Sequence, residues 1–251
     1  MKRVLLKIAY DGTNYNGWQI QNNGITIEEV VNKELRKILG EEVSIIGASR
    51  TDSGVHALGN IAVFDTYTKI PPEKISFALN QKLPKDIRVQ KSMEVPLTFH
   101  PRKVKSIKTY EYKILNSRHD MPIGSNYTNF VYMPLDYKKM RRAARYFKGE
   151  HDFAAFCSAG GQAKTTVRKI TSIDVIKEEN IIRIIVSGNG FLYNMVRIIA
   201  GTLIKVGLGH YPPETIKEIL ASKDRKKSGP KAPAKGLTLV KIKYDKIKDV
   251  D

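Results

Sequence analysis

Ala48-Ser49-Arg50-Thr51-Asp52-Ser53-Gly54-Val55-His56-Ala57 is a polar stretch set between two apolar ones. Val43 to Ile46 leads into it, and Ile61 to Phe64 leaves it. Short apolar runs bounded by turn residues read as strands, and a Gly-containing loop where two strands meet is a usual place to hold a reactive group. The loop offers a guanidinium (Arg50), a carboxylate (Asp52) with a hydroxyl on each side, a glycine (Gly54) and an imidazole (His56). Asp and Gly are also common turn residues, so taken alone the stretch favours a plain turn.

Upstream, Val4 to Tyr10 reads as a buried strand ending at Asp11-Gly12. A long polar loop, Thr13 to Gly24, follows and carries the one tryptophan. Its aromatics could stack on a base and its Asn and Gln could bond to RNA, but a ring as large as Trp18 is most often buried. Thr26 and Glu29 have capping-box spacing, and Ile27, Val30, Val31, Leu35, Ile38 and Leu39 follow a helical period that Gly40 ends. Strands are expected at Val43–Ala48, Asn60–Asp65 and Asp86–Met93, with a helix from Pro71-Pro72 to about Lys82. The first hundred residues thus read β-α-β-β-α-β.

Downstream the order recurs loosely. Val104 to Leu115 reads as a strand, Phe130 to Met133 as extended, and Asp136 to Phe147 as a helix. A hairpin turns at Glu178-Glu179-Asn180, apolar Leu192–Val206 and Pro212–Ser222 read as helices, and Leu237–Tyr244 alternates as a closing strand. Lys223 to Gly236 reads as a basic, mobile loop able to grip phosphates. Gly188-Asn189-Gly190 reads as a hairpin-to-helix turn rather than an anion site. The expected fold is α+β: two ferredoxin-like βαββαβ halves, residues 1–104 and 105–251, with antiparallel sheets side by side and a basic cleft between them.

Of 251 residues, 41% are hydrophobic and 27% charged, which fits a globular chain. No apolar run approaches the roughly 20 residues a membrane helix needs, and Lys7 and Asp11 interrupt anything like a signal-peptide core. The single cysteine, Cys157, excludes an intrachain disulfide and suits a reducing cytoplasm. With 43 Lys and Arg against 25 Asp and Glu, the net charge is +18, and a polyanion, nucleic acid first, is the expected partner.

The five histidines show no ligand spacing, and no P-loop, dinucleotide fingerprint or Gly-x-Ser-x-Gly elbow is present. What remains is carboxylate chemistry without a cofactor. Arg50 beside Asp52 favours the ionised carboxylate, which can act as a nucleophile. Arg197 lies in an apolar helix and needs a partner; Asp52, across the cleft, is the one expected. A non-catalytic RNA-binding module would carry stacking aromatics in recognisable strand motifs, and a metal-dependent nuclease would carry clustered acids; neither pattern appears.

The chain resembles the tRNA pseudouridine synthase A family. The matching motifs are Tyr10-Asp11-Gly12-Thr13 through Gly17-Trp18-Gln19, Arg50 to Ala57, Phe99-His100-Pro101-Arg102, Tyr110-Glu111-Tyr112, Asn194-Met195-Val196-Arg197 through Gly201, and Gly236-Leu237. Ser53 stands where Ala is common in the family. The resemblance implies Asp52 as the catalytic aspartate and Tyr110 as the tyrosine stacking on the target base. It implies Arg50 as the arginine entering the space left by the flipped nucleotide, and Arg197 as the one pairing with the aspartate. It further implies isomerisation of uridines 38, 39 and 40 in the tRNA anticodon stem-loop, no cofactor, no membrane, and a homodimer in which one tRNA spans both subunits.

Overall fold

The computed structural model describes residues 1–245 and 247. The fold is α+β, as expected, and the chain divides into two compact units. Unit 1 comprises Met1–Ser106 together with the chain from Leu239 onward; unit 2 comprises Ile107–Thr238.

Unit 1 is built on β1 (Lys2–Tyr10), which pairs antiparallel with β3 (His56–Thr66) on one side and β4 (Ile87–Val95) on the other. The two-residue β2 (Ile46–Gly47) also pairs with β3. Val4, Leu5, Leu6 and Ile8 of β1 are fully buried, as the apolar run required. Helix α1 (Ile27–Leu39) begins where the spacing predicted. The Thr26 hydroxyl accepts from the Glu29 N–H, Ile27, Val31 and Leu35 face inward, and Gly40 closes the helix at φ 65°. Helix α2 (Ile75–Asn80) packs on β4 after a 3-10 turn at Pro72–Lys74.

Unit 2 has a sheet in the order β5 (Ser106–Asn116), β9 (Ile181–Gly188), β8 (Val167–Glu178), β7 (Gly149–Asp152), every neighbouring pair antiparallel. A short β6 (Asn129–Val131) runs parallel to β5. Helix α3 (Tyr137–Ala144) packs on β8 and on α4 (Met195–Gly207), and α5 (Thr215–Ser222) follows. Phe147, Phe153 and Phe156 form a buried aromatic cluster with ring centroids 5.0–6.5 Å apart. The closing strand β10 (Leu237–Tyr244) alternates as expected.

Three expectations are corrected. The strand expected over Val43–Ala48 is only β2, and Trp18 packs over its Gly47 so closely that a Cβ there would lie 2.4 Å from the indole nitrogen. The helix expected from Leu192 starts at Met195, because Asn194 is left-handed at φ 60°. Lys223–Gly236 is not a solvated loop but a packed strap. Within unit 2, Ser228 and Ala232 are buried, the Ser228 hydroxyl donates to the Ala155 carbonyl (2.7 Å), and the Gly229 N–H donates to Thr202 Oγ1 (2.9 Å). Tyr112 Oη donates to the Pro233 carbonyl (2.9 Å). Gly201 in α4 admits the strap: a Cβ there would stand 1.8 Å from the Pro230 carbonyl oxygen. Charge composition hides this, since the small residues that pack lie between the exposed lysines.

Candidate active site

Asp52 sits half-buried in the turn between β2 and β3, with Gly54 at φ 75° and the Val55 N–H bonded back to the Asp52 carbonyl (3.1 Å). The plain-turn reading is therefore right about the backbone. The loop is nevertheless held from several directions within unit 1. The Trp18 N–H donates to the Thr51 carbonyl (3.0 Å), and the Gly54 N–H and Ser53 hydroxyl reach the Tyr15 carbonyl (3.3 Å each). Thr51 Oγ1 meets Tyr10 Oη at 2.7 Å, and Asn60 Nδ2 donates to the Ser49 carbonyl (2.9 Å).

Two glycines permit this approach. Gly17 is left-handed at φ 82°, and a Cβ would lie 2.6 Å from the Thr51 carbonyl oxygen. A Cβ on Gly12 would lie 2.1 Å from the Val55 carbonyl oxygen. The polar loop of residues 13–24 is thus the clamp on the Asp52 loop. Trp18 is 1% exposed and tilted against Tyr10 at 5.9 Å, and Tyr15 Oη donates to Asp86 Oδ1 (2.7 Å). Both rings pack in the core of unit 1 rather than waiting for a base. Burying a ring the size of Trp18 typically stabilises by about 3–5 kcal/mol relative to Ala.

His56 belongs to the same framework. It is 3% exposed, and its Nδ1 lies 3.0 Å from the Gly12 nitrogen and 3.1 Å from Asp11 Oδ1. It accepts from the former when Nδ1 is bare and donates to the latter when Nδ1 is protonated. Arg50, two residues before Asp52, is exposed. The Phe99-His100-Pro101-Arg102 motif is also framework. Arg3 Nη1 donates to the Phe99 carbonyl (2.7 Å), Phe99 meets Tyr244 edge-on at 5.2 Å, and Tyr244 Oη donates to the Pro101 carbonyl (2.8 Å). Burial, and then the cations Lys103 and Arg102, hold the His100 imidazole below its ordinary pKa.

The other two candidate residues lie in unit 2. Tyr110 is on β5 opposite Val186, 7% exposed, with the Phe191 ring edge-on at 5.2 Å. Arg197, in the first turn of α4, is 9% exposed. Its Nε donates to the Ala232 carbonyl of the strap (2.8 Å) and its Nη1 to Asn194 Oδ1 (3.0 Å). The expectation that Arg197 needs a partner is met in part by these neutral oxygens. Neighbouring Tyr112 is fully buried; burial pushes its phenol well above the ordinary value, against the opposing pull of Arg197. The structure therefore places Asp52 and Arg50 on one loop of unit 1, and Tyr110 and Arg197 on β5 and α4 of unit 2.

Residue reasoning gave no role to Asn194, Thr51 or Tyr10; Asn194 bonds Arg197, and Tyr10 bonds Thr51, the chain neighbour of Asp52. The Gly188-Asn189-Gly190 reading holds. Asn189 bonds Lys169 through both its N–H (3.1 Å) and its Oδ1 (3.0 Å), and α4 begins only at Met195. Among the described residues no group of three or more His, Cys, Asp or Glu could hold a metal, and no helix is long and apolar enough to cross a membrane.

Comparison with known sequences bears on these residues. The sequence profile described as tRNA pseudouridine synthase matches residues 7–102, with Arg50 and Asp52, and residues 143–245, with Arg197; Tyr110 falls between the two segments. A tRNA pseudouridine synthase A of Ruminiclostridium cellulolyticum is 54% identical over 97% of this chain and 100% of its own length. One of Acetivibrio thermocellus is 47% identical over the same shares, and a tRNA pseudouridine synthase A 2 of Clostridium tetani is 51% identical over 97% of this chain and 99% of its own. Matches of this extent, running through both the clamped loop and the α4 arginine, settle the relationship: the chain belongs to the tRNA pseudouridine synthase family.

Proposed function

We propose that this protein isomerises uridine to pseudouridine at positions 38, 39 and 40 of the tRNA anticodon stem-loop, with Asp52 as nucleophile. Membership of the family supports the reaction class, an isomerisation of uridine in tRNA. The observation that carries the choice of nucleophile is the fixed loop: Asp52 is flanked by Thr51 and Ser53, which bond to Tyr10, Tyr15 and Trp18, and a held group reacts without first being ordered. The net charge of +18 supports a polyanionic substrate.

The target uridine turns out of the helical stack before reaction, as for other enzymes that act on a base. Asp52 then adds to C6 of the uracil or displaces the base at C1′. The N1–C1′ bond breaks, the base rotates, a C5–C1′ bond forms, and the Asp52 bond to C6 or C1′ breaks to return the free carboxylate; N1 gains a proton and C5 loses one. Nothing is oxidised or reduced, so the sum needs no redox cofactor. In this proposal, as the resemblance implies, Tyr110 stacks on the target base, Arg50 enters the space left by the flipped nucleotide, and Arg197 is the arginine that pairs with the aspartate. The same proposal makes the enzyme a homodimer across which one tRNA lies, as the family resemblance supports, and places it in the cytoplasm, which the single cysteine suits.

The test is tritium release from C5-labelled uridine in an anticodon stem-loop transcript. The wild type should release tritium and Asp52→Ala and Asp52→Asn should not. Turnover surviving both substitutions would sink the nucleophile assignment. Tight, salt-sensitive binding without release by the wild type would favour a binding module instead.

A further inference from the structure

Asn194 stands three residues before Arg197 and is itself buried, at 6% exposure. Its backbone is left-handed, φ 60° and ψ 8°, a region that Asn tolerates better than most non-glycine residues. It occupies the N-cap position of α4, where an Asn side chain normally accepts from the first-turn N–H groups. Here it makes no such cap bond. Its amide is used elsewhere: Oδ1 accepts from Arg197 Nη1 (3.0 Å) and Nδ2 donates to Ser158 Oγ (3.0 Å). Ser158 is itself tied to this turn, its N–H donating to the Tyr193 carbonyl (3.1 Å).

Arg197 is held at a second nitrogen by the strap. Its Nε donates to the Ala232 carbonyl (2.8 Å), and the Ala232 N–H donates back to the Arg197 carbonyl (3.1 Å). Bonds at Nε and Nη1 fix the plane of a guanidinium. Both acceptors are neutral, so these bonds orient the charge without cancelling it. A simple helix start needs none of this; a first-turn arginine that must present its charge in one direction does.

We propose that Asn194 is a positioning residue for uridine isomerisation, setting the orientation of the Arg197 guanidinium through Nη1 while the Ala232 carbonyl sets Nε. This rests on the function proposed above and on Arg197 serving that reaction. Asn194 touches no reacting atom in this scheme; it acts through Arg197.

Asn194→Gly tests it, because glycine keeps the left-handed backbone without steric cost and removes the amide. Its melting temperature should stay within a few degrees of the wild type. In single-turnover and steady-state tritium release, kcat should fall roughly ten- to a hundredfold, the range for losing a hydrogen bond to a charged group. KM for the stem-loop should change less than about threefold, because the loss is in the transition state. Asn194→Asp keeps the acceptor oxygen and should retain more activity than Asn194→Gly. In an Arg197→Lys background, Asn194→Gly should add little further loss, since the two act as one unit. A lowered melting temperature with unchanged kcat, or full additivity with Arg197→Lys, would overturn the proposal. Absence of release by the wild type would instead strike the proposed function.

Discussion

Thr51 Oγ1 and Tyr10 Oη stand 2.7 Å apart in the core of unit 1, one residue from the carboxylate of Asp52. Asn60 Nδ2 reaches the same phenol at 3.3 Å, and its second bond runs to the Ser49 carbonyl at 2.9 Å. The phenol thus ties the end of β1 to both sides of the Arg50 turn. Tyr10→Phe should cost about 1–3 kcal/mol, since it leaves a buried hydroxyl short of a partner. Urea unfolding measures the cost, and tritium release should fall with it because the Asp52 loop loses an anchor. A variant as stable and as active as the wild type would show that the bond anchors nothing.

Gly17 and Gly40 share a left-handed backbone, φ 82° and 65°, but not their surroundings. A Cβ at Gly17 meets the Thr51 carbonyl at 2.6 Å, whereas nothing lies within 4 Å of one at Gly40. Gly40→Ala should cost about 1–2 kcal/mol, the price of the backbone alone. Gly17→Ala should cost that plus an overpacking penalty of about 1–3 kcal/mol and displace the Asp52 loop. Thermal melts with activity assays separate the two; equal effects would mean the loops can part freely.

The strap around Ala232 carries an exposed Lys231 yet is pinned to α4 and β5. Trypsin should therefore cut slowly after Lys231 in the native protein. Gly201→Ala, which places a Cβ 1.8 Å from the Pro230 oxygen, should lift the strap and speed that cut. Rapid cutting of the wild type at Lys231 would contradict the packed strap.

Tyr110→Phe keeps the ring that meets Phe191 edge-on and removes only the hydroxyl. With Tyr110 acting on the target base, turnover should fall more than stem-loop affinity, as read by tritium release and filter binding. An equal loss in both would assign Tyr110 to packing.

Arg3 clamps Asp65 through Nε and Nη2, each at 2.7 Å, and those hydrogen bonds hold the carboxyl below its ordinary value despite partial desolvation. A depressed folded pKa means the pair stabilises above the unfolded value near 3.9, and the gain is lost as pH falls through the folded value. Asp65 is a third exposed, so solvent screening limits the gain to about 1 kcal/mol or less. Asp65→Asn should lower stability at pH 7 and leave it less sensitive to pH below about 4, as acid titration followed by circular dichroism would read.

Periodicity and caps determined much of this protein. Thr26, the 3.6-residue apolar stripe and Gly40 mark α1 without reference to anything distant, because a helix satisfies its own backbone within a few residues. The Arg50–His56 stretch offered Asp52 as an ionised carboxylate beside a turn, and the family resemblance carried along the whole chain made it the candidate nucleophile. Strand β7 escaped notice, since Gly149-Glu150-His151-Asp152 has no apolar alternation and is a strand only because β8 pairs with it. The roles of Trp18 as clamp rather than base-stacking ring and of the 223–236 segment as strap depend on partners far along the chain, Thr51 for the one and Tyr112 for the other, and Asn194, three residues from Arg197, is itself held by Ser158, 36 residues away. Local sequence records a side chain's chemistry; only the tertiary structure decides which distant carbonyl, glycine or guanidinium that side chain meets.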